Sequence, residues 1–320
     1  MEINQNFEVI IPARTVHNKI ISNIKIFLEN SIKVTFIANQ NNLKEKYDNL
    51  EIKIIKENNI SKKRNIGIEN STAEYLIFID TDIVPNGKYL ESLNLNLKKN
   101  YDVLSGPNIH THNESLINNL IADSYKCIFI QGFNNFFKKK FKGPIVAEFA
   151  QSCNLIIKRK ILIDNNIKFN EKLFTGEDLD FCRKLRKINV KINFDGDLWV
   201  HHKTKNLKNF FFERIIYGKS FFNLIKNKLY NFPVSIILLI FYFVLNFIFI
   251  FFVFHHDLNK FYILFILIPF MLDALINVSV KKFLIQGIFN IFFSFSPLIG
   301  ILLGKIIDNS NYKNDADIQK

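Results

Sequence analysis

From Pro233 to Ile307 the chain runs for 75 residues with only six formal charges, Asp257, Lys260, Asp273, Lys281, Lys282 and Lys305. A helix packed on a soluble core keeps a polar face toward water, and this stretch has too few polar residues to supply one. It divides into blocks at 233–254, 261–280 and 283–307, each near the ~20 residues that cross a bilayer. Three membrane helices are expected. In the second, Asp273 and Asn277 must face protein or headgroups, because lipid around them is costly. The third carries Gly287, Pro297, Gly300 and Gly304 and equally fits a re-entrant or interfacial segment.

Charge sets the orientation. Seven Lys/Arg lie between 203 and 228 against a single acid, Glu213, just before the first block. By the positive-inside rule the front of the chain is cytoplasmic, and the start, MEINQNFEVIIPAR, has no basic leader before an apolar run. The expected location is the inner cell membrane, multi-pass, with Lys281 and Lys282 also on the cytoplasmic side. Much of the net charge of +13 then serves membrane lipids rather than nucleic acid. The KKKFK run at 138–142 reads as a solvated loop. Cys127, Cys153 and Cys182 are odd in number and lack paired spacing, which suits reduced cytosolic thiols.

Residues 7–200 alternate apolar runs with amphipathic stretches, the pattern of an α/β domain with a doubly wound, mostly parallel sheet. EVIIPA, KVTFIA, 52–55 and YLIFID predict four strands, and Ser61 is placed to cap a helix running to about Asn70. Such sheets bind ligands at the carboxyl ends of their strands. Asp80, Thr81 and Asp82 follow the fourth strand there, and two carboxylates in a tight turn suit Mg²⁺ or Mn²⁺ carrying phosphate oxygens. In EDLDFCRKLRKI, Phe181, Leu185 and Ile188 read as the buried stripe of a helix opened by Glu177 and Asp178.

VIIPAR, KKRNIGIENSTAEYLIFIDTDIVP and FTGEDLDFCRKLRK, in that order, resemble the family 2 glycosyltransferases of the GT-A fold. The resemblance covers roughly 7–220. It implies sugar transfer from a nucleotide-diphosphate sugar donor, with inversion and a divalent cation, Mg²⁺ or Mn²⁺. It also implies a GT-A domain over 1–204, a basic juxtamembrane segment over 205–232, a membrane region over 233–307 and a polar tail over 308–320. By the same resemblance Asp178 is the base that takes the acceptor proton, and Glu177 orients the acceptor. Pro12, Arg14, Asn39, Arg64 and Asp80 line the donor, while Asp80, Asp82 and His201 or its neighbour His202 hold the metal, His201 being preferred. Alternation along a strand allows only one of the two histidines to face the site. Asp180 reads as surface or supporting, and Trp199 as packing or a sugar platform.

Two features depart from the family pattern. The second strand ends in Ala38 and Asn39 where an aspartate pair usually meets the nucleobase, and Asn39 can still hydrogen-bond a base edge. Glu213, Arg214, Tyr217 and Gly218 replace the Gln-rich, Trp-containing motif of processive members, which favours single addition. The expected acceptor is lipid-linked or a membrane-near glycan. A polyprenyl-phosphate sugar synthase and a non-catalytic scaffold subunit are the rival readings.

Overall fold

The computed structural model describes residues 6–127, 130, 143–173, 175–226, 259–294, 296–297 and 299–300. The block at 233–254, the KKKFK run and the 308–320 tail lie outside the described residues. In chain order the elements are β1 (Phe7–Val16), α1 (Asn18–Asn23), α2 (Lys25–Glu29), β2 (Lys33–Asn41), β3 (Leu50–Ile54), α3 (Ile60–Asn70), β4 (Tyr75–Ile79), β5 (Ile83–Pro85), α4 (Tyr89–Leu97), β6 (Val103–Ser105) and β7 (Asn108–His110). There follow α5 (Leu116–Ser124), β8 (Ile145–Ala147), β9 (Asn154–Lys158), α6 (Arg159–Asp164), α7 (Glu177–Lys187), β10 (Ile192–Phe194), β11 (Val200–His202), α8 (Leu207–Lys226), α9 (Asn259–Asn277) and α10 (Phe283–Ser294). Contacts divide the chain into two units, 1–109 with 138–203, and 110–137 with 204–320.

The first unit is a mixed α/β fold built on a central, mostly parallel sheet. Its main sheet has the order β3-β2-β1-β4-β9-β6-β10-β8, with β1, β2, β3 and β4 parallel and β9 antiparallel to both β4 and β6. Strand alternation explains why β1 and β4 read as unbroken apolar runs: they are covered on both faces. Val9 and Ile11 of β1 and Tyr75, Ile77 and Ile79 of β4 join one core cluster, while Ile10, Leu76 and Phe78 join the other. Helix α3 closes on the sheet at Gly67, where a Cβ would fall 2.3 Å from Ile10 Cγ2. Its cap is Asn59, whose side chain accepts from Lys62 N at 2.9 Å; the expected cap, Ser61, lies one residue inside the helix and is buried. Ile188 also differs from expectation, because α7 ends at Lys187 and leaves it exposed. Cys182 joins Phe181 and Leu185 in the core instead.

In the second unit, α5 and α10 meet through a polar seam. Gln286 Nε2 donates to Leu120 O at 2.9 Å and to Ser124 Oγ at 3.0 Å, and Ser124 Oγ donates to Asn290 Oδ1 at 2.8 Å. Gln286, Asn290 and Ser294, spaced one turn apart, are all buried, whereas Leu284, Ile285, Ile288 and Phe292 of the same helix are exposed. Ile268, Leu272 and Ile276 of α9 are exposed likewise. Among the described residues, no helix is long and apolar enough to cross a membrane. The second expected span is helical over Asn259–Asn277 but carries Pro269 inside it. The third is helical as α10 over Phe283–Ser294 and again at 296–297 and 299–300.

Candidate active site

The carboxyl ends of β1, β2 and β4 converge on one edge of the sheet, and the chain leaves β4 there through Asp80-Thr81-Asp82. Two contacts fix this turn. Ile83 N donates to Asp80 O at 3.2 Å, and Asn23 Nδ2 donates to Thr81 O at 2.9 Å. Beyond it β5 pairs antiparallel with β11 in the register His202↔Ile83, His201↔Val84. That register brings His202 beside the turn. Its Nε2 lies 3.2 Å from Asp82 Oδ2, while the ring of His201 meets Trp199 edge-on at 4.6 Å and 84°.

Arg64 sits on the inner side of α3 and is almost fully buried, with its side chain 3% exposed. Its two terminal nitrogens divide between two segments: Nη2 lies 2.9 Å from Asp80 Oδ1, and Nη1 lies 3.1 Å from Glu177 Oε1. A single guanidinium therefore joins the Asp-x-Asp turn to the first residue of α7. Burial opposes its charge, but the carboxylates of Asp80, Asp178 and Glu177 outweigh that and hold it firmly protonated. Glu177 and Asp178 open α7 after Gly176, which adopts φ 80°, a left-handed conformation that suits glycine.

Burial raises the pKa of Asp178 above the usual carboxylate range, and Arg64 together with hydrogen bonds from Ser152 restrains the rise. Burial and then the neighbouring Asp178 charge raise that of Glu177. Both acids are displaced toward neutral pH, where a general base works best. Asp178 Oδ1, Thr175 Oγ1 and Arg64 Nε are buried without a hydrogen-bond partner. Native structures seldom leave such atoms unmet unless a ligand or water completes them. The Cys153 thiol is pushed far up by burial and then by the negative charges of Asp80, Asp178 and Asp82. Asp180, read from sequence as surface or supporting, is buried, with Lys184 Nζ at 2.7 Å.

The donor-side residues separate into two kinds. Pro12 is buried in β1 and Arg14 is exposed beyond it. Asn39 is committed to the protein: Oδ1 accepts from Lys63 Nζ at 2.6 Å, and Nδ2 donates to Ile55 O at 3.2 Å and Glu57 O at 2.9 Å. Lys63, next to Lys62 in KKRNIGI, is buried at 3% exposure and also donates to Ala13 O at 2.6 Å. Ser152 hydrogen-bonds Asp178 through both its side chain and its backbone.

Among the described residues, no group of three His, Cys, Asp or Glu side chains is arranged to hold a metal ion. Asp82 and His202 do provide one oxygen and one nitrogen donor at partly open positions. Two protein donors fit a cation whose remaining positions are filled by substrate phosphates and water. Asp80 is engaged by Arg64 instead.

No curated protein matches the chain. The crystal structure of S. aureus TarS 1-349 is 17% identical, with a TM-score of 0.46, covering 67% of this chain and 64% of that one. The same protein in complex with UDP-GlcNAc is 17% identical, with a TM-score of 0.48, 63% of this chain and 59% of that chain being covered. GalNAc-T7 with UDP, GalNAc and Mn²⁺ is 12% identical, with a TM-score of 0.47 and coverage of 63% and 44%. This chain thus spans a little under two thirds of the TarS 1-349 chain. Residues 34–165, which run from β2 through α3, β4 and the Asp-x-Asp turn to the end of α6, match the family model for Glycosyl transferase family 2.

Proposed function

We propose that the protein is a membrane-associated, inverting glycosyltransferase that moves a sugar from a nucleotide-diphosphate donor to a lipid-linked or membrane-near acceptor on the cytoplasmic side. The observation that carries this reading is the Arg64 bridge, because it sets the donor-side Asp80 and the acceptor-side Glu177 on one cation. Asp178 removes the proton from the acceptor hydroxyl as that oxygen attacks the anomeric carbon, and its raised pKa suits the task. Glu177, held by Arg64, orients the acceptor. Asp82 and His202 hold the divalent cation, which when bound supplies positive charge to the leaving diphosphate. His202 takes this role, since its Nε2 lies 3.2 Å from Asp82 Oδ2.

Membrane association is supported by the second unit's inverted pattern. Its α9 and α10 keep polar side chains inside and present apolar ones outward, the reverse of a helix facing water. Lys281 and Lys282 lie between the two helices, where anionic headgroups would meet them. Tethering raises the local concentration of an acceptor confined to the same bilayer. The test is a panel of nucleotide sugars offered to membranes containing the full chain, scoring nucleoside diphosphate release with and without chelator. Release from one donor, abolished by chelation, is expected; no release from any donor with a membrane lipid extract as acceptor overturns the proposal.

A further inference from the structure

A cluster of charge in the second unit has no part in the proposed reaction. Asp123, in the last turn of α5, is buried, yet cations surround both of its oxygens. Lys126 Nζ lies 2.6 Å and His112 Nε2 2.9 Å from Oδ1, and Lys282 Nζ lies 3.5 Å from Oδ2. Burial opposes the carboxylate charge, but Lys126 and then His112 outweigh it and hold the Asp123 pKa below the usual carboxylate range. The ionised carboxylate thus draws together the loop before α5, the turn after it and the residue preceding α10. The cations themselves stay open, with 46% of the His112 side chain, 28% of Lys126 and 48% of Lys282 exposed against 2% of Asp123. Two lysines face one carboxylate, so the cluster keeps an excess of positive charge whatever the state of His112. We propose that this cluster binds the phosphate of an anionic phospholipid, whose acyl chains lie along the exposed apolar side chains of α10.

The proposal rests on the membrane-association reading above and deepens it by naming the lipid class and the residues that hold it. Lysine ammonium groups bind phosphate oxygens as point charges, and basic pockets at the cytoplasmic end of membrane helices take anionic headgroups. The surroundings match both halves of such a lipid. Val280, Leu284 and Ile285, which flank Lys282 in sequence, are exposed, and so are Leu116 and Ile117 in the first turn of α5. The Gln286 seam already fastens α5 to α10, so three partly open cations on Asp123 exceed what that contact needs. Apolar side chains alone would not choose among lipids; the adjoining positive charge does.

Binding of short-chain lipids to the full chain in a neutral detergent, measured by microscale thermophoresis, tests the proposal. Dioctanoyl phosphatidylglycerol should bind about tenfold more tightly than dioctanoyl phosphatidylcholine, whose choline cation opposes the lysines, and than inorganic phosphate, which has no acyl chains. Lys282→Gln leaves Asp123 with Lys126 and His112, so the variant should fold, and it should weaken phosphatidylglycerol binding about fivefold. Lys281→Gln removes the same charge one residue away and should cost less than about twofold, because it acts only through diffuse attraction. Equal binding of the two lipids, inorganic phosphate bound as tightly as phosphatidylglycerol, equal losses in the two lysine variants, or unchanged binding by Lys282→Gln overturns the proposal. Recovery of the full chain as a folded species without detergent or lipid would instead remove the membrane reading on which it stands.

Discussion

Replacing Asp178 by Asn separates catalysis from stability more cleanly than any other change at this site. Asn has the same shape, and its amide oxygen can keep the bond to Ser152 that restrains Asp178. What disappears is one negative charge from a group in which Asp80, Glu177 and Asp178 share a single buried Arg64. As a base the side chain is lost, so turnover should fall about 10²–10⁴-fold, the usual contribution of a positioned proton acceptor. Donor binding should change little. Stability should move the opposite way. The pKa of an acid raised on folding means that the folded protein binds more protons than the unfolded one between the ordinary carboxylate range and the raised value, so stability falls as pH climbs through that window. Asp178→Asn should therefore melt higher than the unaltered protein at pH 8, with the gap shrinking toward pH 4. Nucleoside diphosphate release and thermal denaturation across pH 4–8 measure both limbs. Turnover within about twofold of the unaltered protein, or a variant less stable at pH 8 than at pH 4 relative to it, would refute the assignment of Asp178 as a buried, charge-strained base.

Arg64→Gln should cost about 3–5 kcal/mol at pH 8, because it strands the Asp80 and Glu177 carboxylates; melting curves should show a smaller loss at pH 5, where the Glu177 carboxyl, raised by burial to about 7, can protonate. Gly106→Ala places a Cβ 2.1 Å from the Leu198 backbone oxygen, which no side-chain rotation relieves, so unfolding should be easier by about 1–3 kcal/mol. Gly87→Ala, with nothing within 4 Å of the added carbon, is its control and should stay within about 0.5 kcal/mol in the same denaturant titration. His202→Ala should lower Mn²⁺-dependent nucleoside diphosphate affinity to the level seen with chelator, whereas His201→Ala should not; equal losses in calorimetry would set the two histidines on the same footing.

The site was legible in the sequence where backbone topology alone positions a residue. An apolar run as continuous as YLIFI is buried on both faces, so Asp80 and Asp82 had to emerge at the sheet's carboxyl edge. Glu177 and Asp178 follow from the helix they open. Legibility ended where position depends on a partner distant in sequence. His202 meets Asp82 because β11 pairs with β5, and β11 is three residues long, too short for alternation to register. Lys63 looks like Lys62 in sequence, yet one points into the strand ends and the other stays on the surface with Glu57 at 2.9 Å. Helical periodicity scores apolar residues and has no signature for a lysine buried against carbonyls.

The apolar carboxyl-terminal half shows the converse limit. Composition alone counts Gln286, Asn290 and Ser294 as blemishes in a hydrophobic block, whereas spacing places them on one face, and that face is the buried one. A helix that turns its amides against α5 and displays Leu284, Ile288 and Phe292 makes its polar contacts inward, with Gln286 Nε2 donating to Leu120 O, Ser124 Oγ and Asn290 Oδ1. Composition marks the segment as apolar; the inward seam shows which side of α10 is buried and which is exposed.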